Sequence, residues 1–540
     1  MENLPVETLQ HIGSFLPFTE RCTTFPLISK AFAGASCCTA LGDLWASVAL
    51  EASPNTAHSG KQAQQRHLQR GCLSWLAPRA NQVENLRVDC QALRPQPGSF
   101  SQLLGLFAAS ANLQSLHVTG CEEVAIAATL PLLPSFAKLQ VLQFEEVDGF
   151  CDHGCTLQAL SSMTNLRSLR VSLREGFLHT WPDLARLQKL ETLDMRGCPA
   201  YGHPWAAWAP LPGWMTKLTS LRSLSIGCAV FTEVPPMVAA LTQLTRLAIE
   251  DSCLGCAAFP AGQLPAKKQL PPGFHLLTNL NSLSLGTWAC GVVPDEICAL
   301  TNLEELSWRG ELPADLDGCE DDYADDYEGT PDQAARVFAL PKEFGSLRKL
   351  RVLKLDCHPG MTELPPQILK LTSLESLDLS NTPLSSLPDN LHTLPNLASL
   401  HLASCSFTCV PPPVFSVPSL RHLDLGRNTS LDLGELSRAQ LAWLAKLGSL
   451  SLAKLGDCAW HRESLPALTF LESAAALLRR SHLQEAQTAE NSTCVKGQCR
   501  DTLSEGGGIC VLEQLQRLEG CPSVGVLEPD GHLVRTILAV

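Results

Sequence analysis

Residues 350–405 read LRVLKLDCHPGMTELPPQILKLTSLESLDLSNTPLSSLPDNLHTLPNLASLHLASC. Three times in that stretch, from Leu350, Leu374 and Leu397, the order is Leu, two variable residues, Leu, one variable residue, Leu. Alternation such as Leu377-Asp378-Leu379 places the leucines on one face of a short half-buried strand. Between the copies, LPPQILKLTSL (364–374) and LPDNLHTLPNL (387–397) open on proline, turn the chain and return it behind the strand. One such unit cannot enclose its own leucines, so neighbours must stack and share a core.

Working outward, further copies begin at Leu113, Leu139, Leu166, Leu190, Leu221, Leu244, Leu280, Leu303, Leu420 and Leu447, with a degenerate one at Val83. Most steps are 23 to 27 residues, and the longer ones are 31, 36 and 47. From about residue 83 to 455 the chain resembles the leucine-rich repeat family, and the copies from 350 to 430 are similar to its plant-type intracellular variety. The resemblance implies an α/β solenoid with a curved parallel sheet on its concave face. About 13 strands at ~4.8 Å would span roughly 60 Å.

With places counted from the first leucine, Cys90, Cys228 and Cys357 fall eighth, and Cys121, Cys198, Cys405 and Asn428 ninth. The family uses Asn or Cys there to satisfy backbone groups at the turn, which explains many of the 23 cysteines. Cys253-Leu-Gly-Cys256 and Cys151-Asp-His-Gly-Cys155 have metal-like spacing, but neither has a second ligand pair nearby, so no metal or other cofactor is expected.

Forty Lys+Arg against 54 Asp+Glu give a net charge of −14, which opposes sequence-independent nucleic-acid binding. No apolar run approaches the ~20 residues needed to span a bilayer, so no membrane is expected as a partner. Met1–Glu7 carries no basic residue, unlike a secretory signal. The expectation is a protein of cytoplasm or nucleus with reduced thiols, in which the sequons at Asn428 and Asn491 go unused.

Residues 1–50 carry a different pattern. Leu4-Pro5 opens it, Val6, Leu9, Ile12, Phe15 and Leu16 follow at helical spacing, and Pro17 stops the helix. A second helix carries Leu27, Ile28, Phe32 and Ala35, and Leu44-Trp45 closes the segment. This order over residues 1–47 resembles the F-box, with Pro26 inside a helix the family runs unbroken and Phe32 where many members carry Trp. The resemblance implies that Leu4, Pro5, Leu9, Ile12, Leu16, Pro17, Leu27 and Ile28 dock a Skp-type adaptor and, through it, a cullin. The alternative is a helical cap on the array. Residues 51–61 read as a linker, 62–82 as a capping helix, and 456–540 as a C-terminal cap with a partly flexible tail.

Places 3, 5 and 7 should face the concave side. They offer His117, Gln143, Glu145, Arg170, Asp194, Arg196, Glu250, Arg309, Lys354, Asp356, Asp378, His401 and Asp424 to a protein target, with small residues from Ser225 to Ser307 between. Insertions are expected at 199–214, with Trp205, Trp208 and Trp214 as partner anchors or edge packing, at 254–272, and at 311–332. The last holds ten Asp/Glu and no Lys or Arg, a solvated loop or a docking segment for basic partners. No phosphate-binding loop, nucleophile elbow or H-E-x-x-H is present, so catalysis is not expected. The expectation is a target-recognition subunit of a cullin-type ubiquitin ligase, against a plain repeat scaffold or a ligand sensor.

Overall fold

The computed structural model describes residues 47–50, 77–90, 99–108, 112–121, 130–148, 158–175, 182–196, 211–227, 234–250, 270–286, 292–310, 338–433 and 436–452. The chain divides into two compact units, one ending at Gln263 and taking in Pro271–Gly273, the other made of Leu264–Leu270 and Phe274 onward.

The first unit contains strands β1 (Ser47–Leu50), β2 (Asn85–Asp89), β3 (Ser115–Thr119), β4 (Val141–Asp148), β5 (Ser168–Glu175), β6 (Thr192–Arg196), β7 (Ser223–Gly227) and β8 (Arg246–Glu250). Each runs parallel to the next, and the fourth-place leucines Leu86, Leu116, Leu142, Leu169, Leu193, Leu224 and Leu247 stand opposite one another. The second unit repeats this in β9 (Ser282–Leu285), β10 (Glu305–Trp308), β11 (Val352–Lys354), β12 (Ser376–Asp378), β13 (Ser399–His401), β14 (His422–Asp424) and β15 (Ser449–Ser451). Its row is Leu283, Leu306, Leu353, Leu377, Leu400, Leu423 and Leu450. No leucine of either row is more than 2% exposed. Each contributes roughly 1.5–3 kcal/mol of burial, and each is shielded by its neighbours rather than by its own unit.

Most of the described return segments are 3₁₀ turns rather than the α-helices that an α/β class implies. Examples are Gly213–Lys217, Asp295–Ala299, Lys342–Ser346 and Asp389–Thr393. The sequence dictates this. Ile297 and Leu300, Phe344 and Leu347, and Leu391 and Leu394 are all buried three residues apart. Three residues per turn stack such a pair on one side, whereas an α-helix would rotate them about 60° apart. The preceding proline sits extended, as Pro294 does at φ −68°, and the closing leucine N–H bonds back to the carbonyl three residues earlier. Among the described residues only α1 (Ser99–Ala108) and α2 (Arg438–Leu444) are α-helical. Ser437 caps α2 in a reciprocal capping box with Gln440.

The strand must turn sharply after its sixth and seventh places, and one backbone position absorbs the turn. Gly120, Glu146, Cys357, Asn381, Ser404 and Arg427 all have φ between 51° and 64°, and all are eighth in their units. Cys357 therefore occupies a conformational position, correcting the expectation that eighth-place cysteines bond the turn. The ninth place does that work. In the second unit Asn428 Nδ2 donates to the carbonyls of Leu402 and Leu425, both at 2.8 Å, while Asn428 Oδ1 accepts the Phe407 N–H at 3.2 Å. Cys405 Sγ donates to Leu379 O at 3.4 Å, Thr382 Oγ1 to the same carbonyl at 2.7 Å, and His358 Nε2 bonds Trp308 O at 2.8 Å. Asn, Cys, Thr and His thus serve the same sixth-place carbonyls in successive repeats.

A second ladder lies just before the first leucine. Asn112, Asn165, Asn302 and Asn396 each donate to a carbonyl of the preceding repeat. Lys138, Lys189 and Lys349, one repeat later, donate in turn to Asn112, Asn165 and Asn302 at 2.7–2.8 Å. The recurring Asn-Leu pair was its sequence signal.

Several expected boundaries move. The first strand is Ser47–Leu50, paired with β2, so the array starts well before residue 83 and the linker expected at 51–61 falls between two neighbouring strands. Counting back from Val48 puts Trp45 at a first place, in a degenerate copy the F-box pattern had hidden. Of the capping helix expected over 62–82, the described part, Ala77–Gln82, is a 3₁₀ turn. Residues 211–214 and 270–272 belong to LPGWMTKLTSL and LPPGFHLLTNL, copies of the proline-opened block, so the first two insertions are shorter than expected. Trp214 is half-buried within that turn. The remaining insertion residues, the F-box-like segment through Trp45 and everything after 452 lie outside the described residues.

Candidate interaction face

The alternating burial of the strands leaves places 3, 5 and 7 on the outer side of each unit's sheet. In the first unit the charges there are joined. Glu145 on β4 meets His117 of β3 at 3.0 Å and Arg170 of β5 at 3.3 Å. The histidine contact is close, but its geometry lies off the hydrogen-bond axis. Burial works to raise the Glu145 pKa, and His117 and then Arg170 outweigh it, leaving the carboxyl below its ordinary value. Arg170 Nε donates to Asp194 Oδ2 and Arg196 Nε to Asp194 Oδ1, both at 2.9 Å. Arg196 Nη2 reaches Ser225 Oγ at 3.3 Å. Gln143 stands in register between His117 and Arg170, and Glu250 ends β8 with only its backbone described.

Arg309, beyond β10 in the second unit, donates from Nε to Asp356 Oδ2 at 2.8 Å. Burial pushes the Asp356 pKa up, Arg309 opposes the shift, and Asp356 Oδ1 has no partner among the described residues. Lys354, Asp378, His401 and Asp424 then follow in register across β11–β14. Asp378 and Asp424 turn back on their own strands, accepting from Ser380 N at 3.0 Å and Gly426 N at 2.9 Å. His401 Nε2 lies 2.9 Å from Ser399 Oγ. A serine–histidine pair is a fragment of nucleophile chemistry, but the carboxylates on either side are committed to their own backbones.

Two expected target-binding residues are corrected here. Asp194 is 3% exposed and Asp356 5%, so neither presents its charge to a partner. Each lies beneath an arginine from an adjoining place, because a carboxylate in a stacked sheet gains more from a guanidinium than a partly exposed one gains from water. What remains is, in the first unit, Arg170, Arg196 and the rim of Glu145, and in the second, Arg309, Lys354, His401 and the rims of Asp378 and Asp424. Asn428 is fully buried, so its sequon is inaccessible in the fold. Among the described residues no group of three His, Cys, Asp or Glu could hold a metal ion, and no helix is long and apolar enough to cross a membrane.

No curated protein matches the chain in sequence. Among solved structures it is similar to a TDR receptor at 17% identity and a TM-score of 0.40, over 68% of this chain and 56% of that one. It is also similar to a leucine-rich repeat protein of Leptospira interrogans, at 19% identity and a TM-score of 0.39, over 70% of this chain and 98% of that one. An internalin of Listeria monocytogenes gives 11% identity and a TM-score of 0.33, over 77% of this chain and 96% of that one. The chain thus spans just over half the length of the TDR receptor. The family model that matches, over residues 339–519, is described as a leucine-rich repeat region, and its described part takes in β11–β15 of the second unit.

Proposed function

We propose that the chain recognises a protein target on the outer face of its sheets and presents it to a ubiquitin ligase through an adaptor docked on residues 1–47. The observation that carries the recognition half is the set of exposed arginines on each unit's sheet. Arg170 and Arg196 on their strands, and Arg309 just past the end of β10, are tethered by buried carboxylates, so these polar groups are held in place. Nothing in this role needs chemistry from the chain, since holding a target near a conjugating enzyme raises effective concentration. The ligase half rests on the F-box resemblance around Leu4, Pro5, Ile12, Leu16, Leu27 and Ile28.

A second reading is favoured by one observation. β1 follows directly on the F-box-like segment, and its register places Trp45 within the repeat pattern, as a cap fused to the array would require. Capture of a Skp-type adaptor by the intact chain, compared with Leu4→Ala/Pro5→Ala/Leu16→Ala, decides between them. Loss of capture in a variant that still melts like the parent supports the ligase subunit. No capture by either leaves a capped recognition scaffold.

A further inference from the structure

We infer that the outer face of the first unit, at β5–β8, docks an extended segment of a partner protein rich in Asp and Glu, and that Asp194 positions the two arginines that read it. This rests on the reading of the sheet face as a recognition surface.

The argument starts from which charge solvent meets. Asp194 lies at the fifth place of β6 with its side chain 4% exposed, while Arg170 and Arg196 are 41% and 48% exposed. Counted by residue the site is near neutral, yet the partner meets guanidinium. The two tethers are both made through Nε, one to each oxygen of the same carboxylate. Beyond those bonds Arg170 gives one weak contact to Glu145 and Arg196 one to Ser225, so among the described residues each guanidinium keeps three of its five N–H groups unspent. A buried carboxylate that holds two guanidiniums by their inner nitrogens turns their outer nitrogens outward, one reaching toward β4 and the other toward β7. Each guanidinium is suited to the planar fork of a carboxylate.

The surroundings fix the shape of the occupant. In register beside Asp194 and Arg196 stand Ser225 and Gly227 of β7, then Ala248 of β8. Ser225 and Ala248 are partly exposed and Gly227 is buried, so the small residues form a low shelf at the fifth places along which an extended backbone can approach. Exposed Arg246, at the third place of β8 opposite Ser223, adds a positive group at its far end. Two or three arginines are far too few for counterion-driven binding to a nucleic acid, and the whole chain is acidic.

A random peptide library displayed on phage and selected on the full chain tests this. Enriched peptides are then synthesised and titrated by fluorescence anisotropy against the parent and Arg170→Lys, Arg196→Lys and Asp194→Asn, with melting curves to verify folding. The expected result is enrichment of Asp/Glu-rich peptides whose Kd weakens at least tenfold in the two lysine variants, which keep the charge but lose the fork. Asp194→Asn decides between positioning and bulk attraction. Removing a negative charge should tighten an acidic peptide if only net charge matters, whereas freeing the arginines should weaken it several-fold. Unchanged or tighter binding by Asp194→Asn overturns the inference. So does enrichment of peptides lacking acids, or of peptides indifferent to all three variants; in both cases a binding face of different chemistry would still stand. No enrichment at all overturns this inference together with the recognition reading.

Discussion

His358 should make the middle of the second unit acid-sensitive. It is 1% exposed, its Nε2 donates to the Trp308 carbonyl at 2.8 Å, and the Phe338 ring packs 4.5 Å from its own. A carbonyl only accepts, so Nε2 carries the proton, and burial penalises adding a second one at Nδ1. Burial lowers the pKa from 6.5 to about 4, with the Trp308 bond pulling the other way. The folded pKa lies below the unfolded one, so between pH 6.5 and 4 the unfolded state binds more protons. Stability from this group is therefore full above about pH 6.5 and is lost as pH falls to 4, by ~3 kcal/mol. Asp356 acts in the opposite sense, because its folded pKa is raised and protonation favours the fold. The difference between parent and His358→Asn cancels that contribution, and Asn is the residue this place carries at 428. Hydrogen exchange at the β11 and β12 amides, corrected for intrinsic rates, reads the local opening free energy. The parent should lose ~3 kcal/mol relative to His358→Asn between pH 7 and 4. A flat difference would mean that His358 is hydrated or already charged in the fold, and the burial argument would fail.

Asn428→Ala strands the Leu402 and Leu425 carbonyls and the Phe407 N–H in the core. About 3–5 kcal/mol should be lost, read as faster exchange at β13 and β14, and a loss under about 1 kcal/mol would show that water replaces the amide. Gly310→Ala would place its Cβ 1.8 Å from the Cys357 carbonyl, a backbone atom that cannot swing aside, whereas Gly213→Ala meets nothing within 4 Å. The first should lower the melting temperature sharply and the second should leave it within about 0.5 kcal/mol of the parent's stability.

The repeat was legible because leucine at places 4 and 6 is a period-2 signal that each strand carries by itself, announced by another leucine at place 1. The eighth place was not. Gly120, Glu146, Cys357, Asn381, Ser404 and Arg427 share no side-chain chemistry, only a left-handed backbone that the stacked turn imposes. The ninth place was half legible: Asn428 and Cys405 fit the family pattern, but Thr382 and His358 join the ladder because any buried donor of the right reach satisfies a sixth-place carbonyl. On the face, places told which residues point outward but not which lie beneath a longer neighbour. Asp194 and Asp356 are short, and Arg170, Arg196 and Arg309 extend over them.

That difference in length sorts the face residues by what their loss means. Lys354 is exposed and has no ion pair among the described residues, so a change there reports on binding alone. Arg309 covers Asp356, whose second oxygen already lacks a partner. Arg309→Ala therefore leaves a buried carboxylate with no countercharge, at a cost on the order of 3–5 kcal/mol, and partner binding would fall for reasons unrelated to contact. Arg309→Ala/Asp356→Asn separates the two effects. Neutralising the buried group should restore most of the lost stability, measured by exchange at β11, because the uncompensated charge is the larger part of the penalty. Restored stability with binding still absent would make Arg309 a recognition residue, and restoration of both would make it structural. If the double variant is no more stable than Arg309→Ala, the cost lies in lost packing of the arginine stem over β10 and β11, and Asp356 is better solvated than its burial implies.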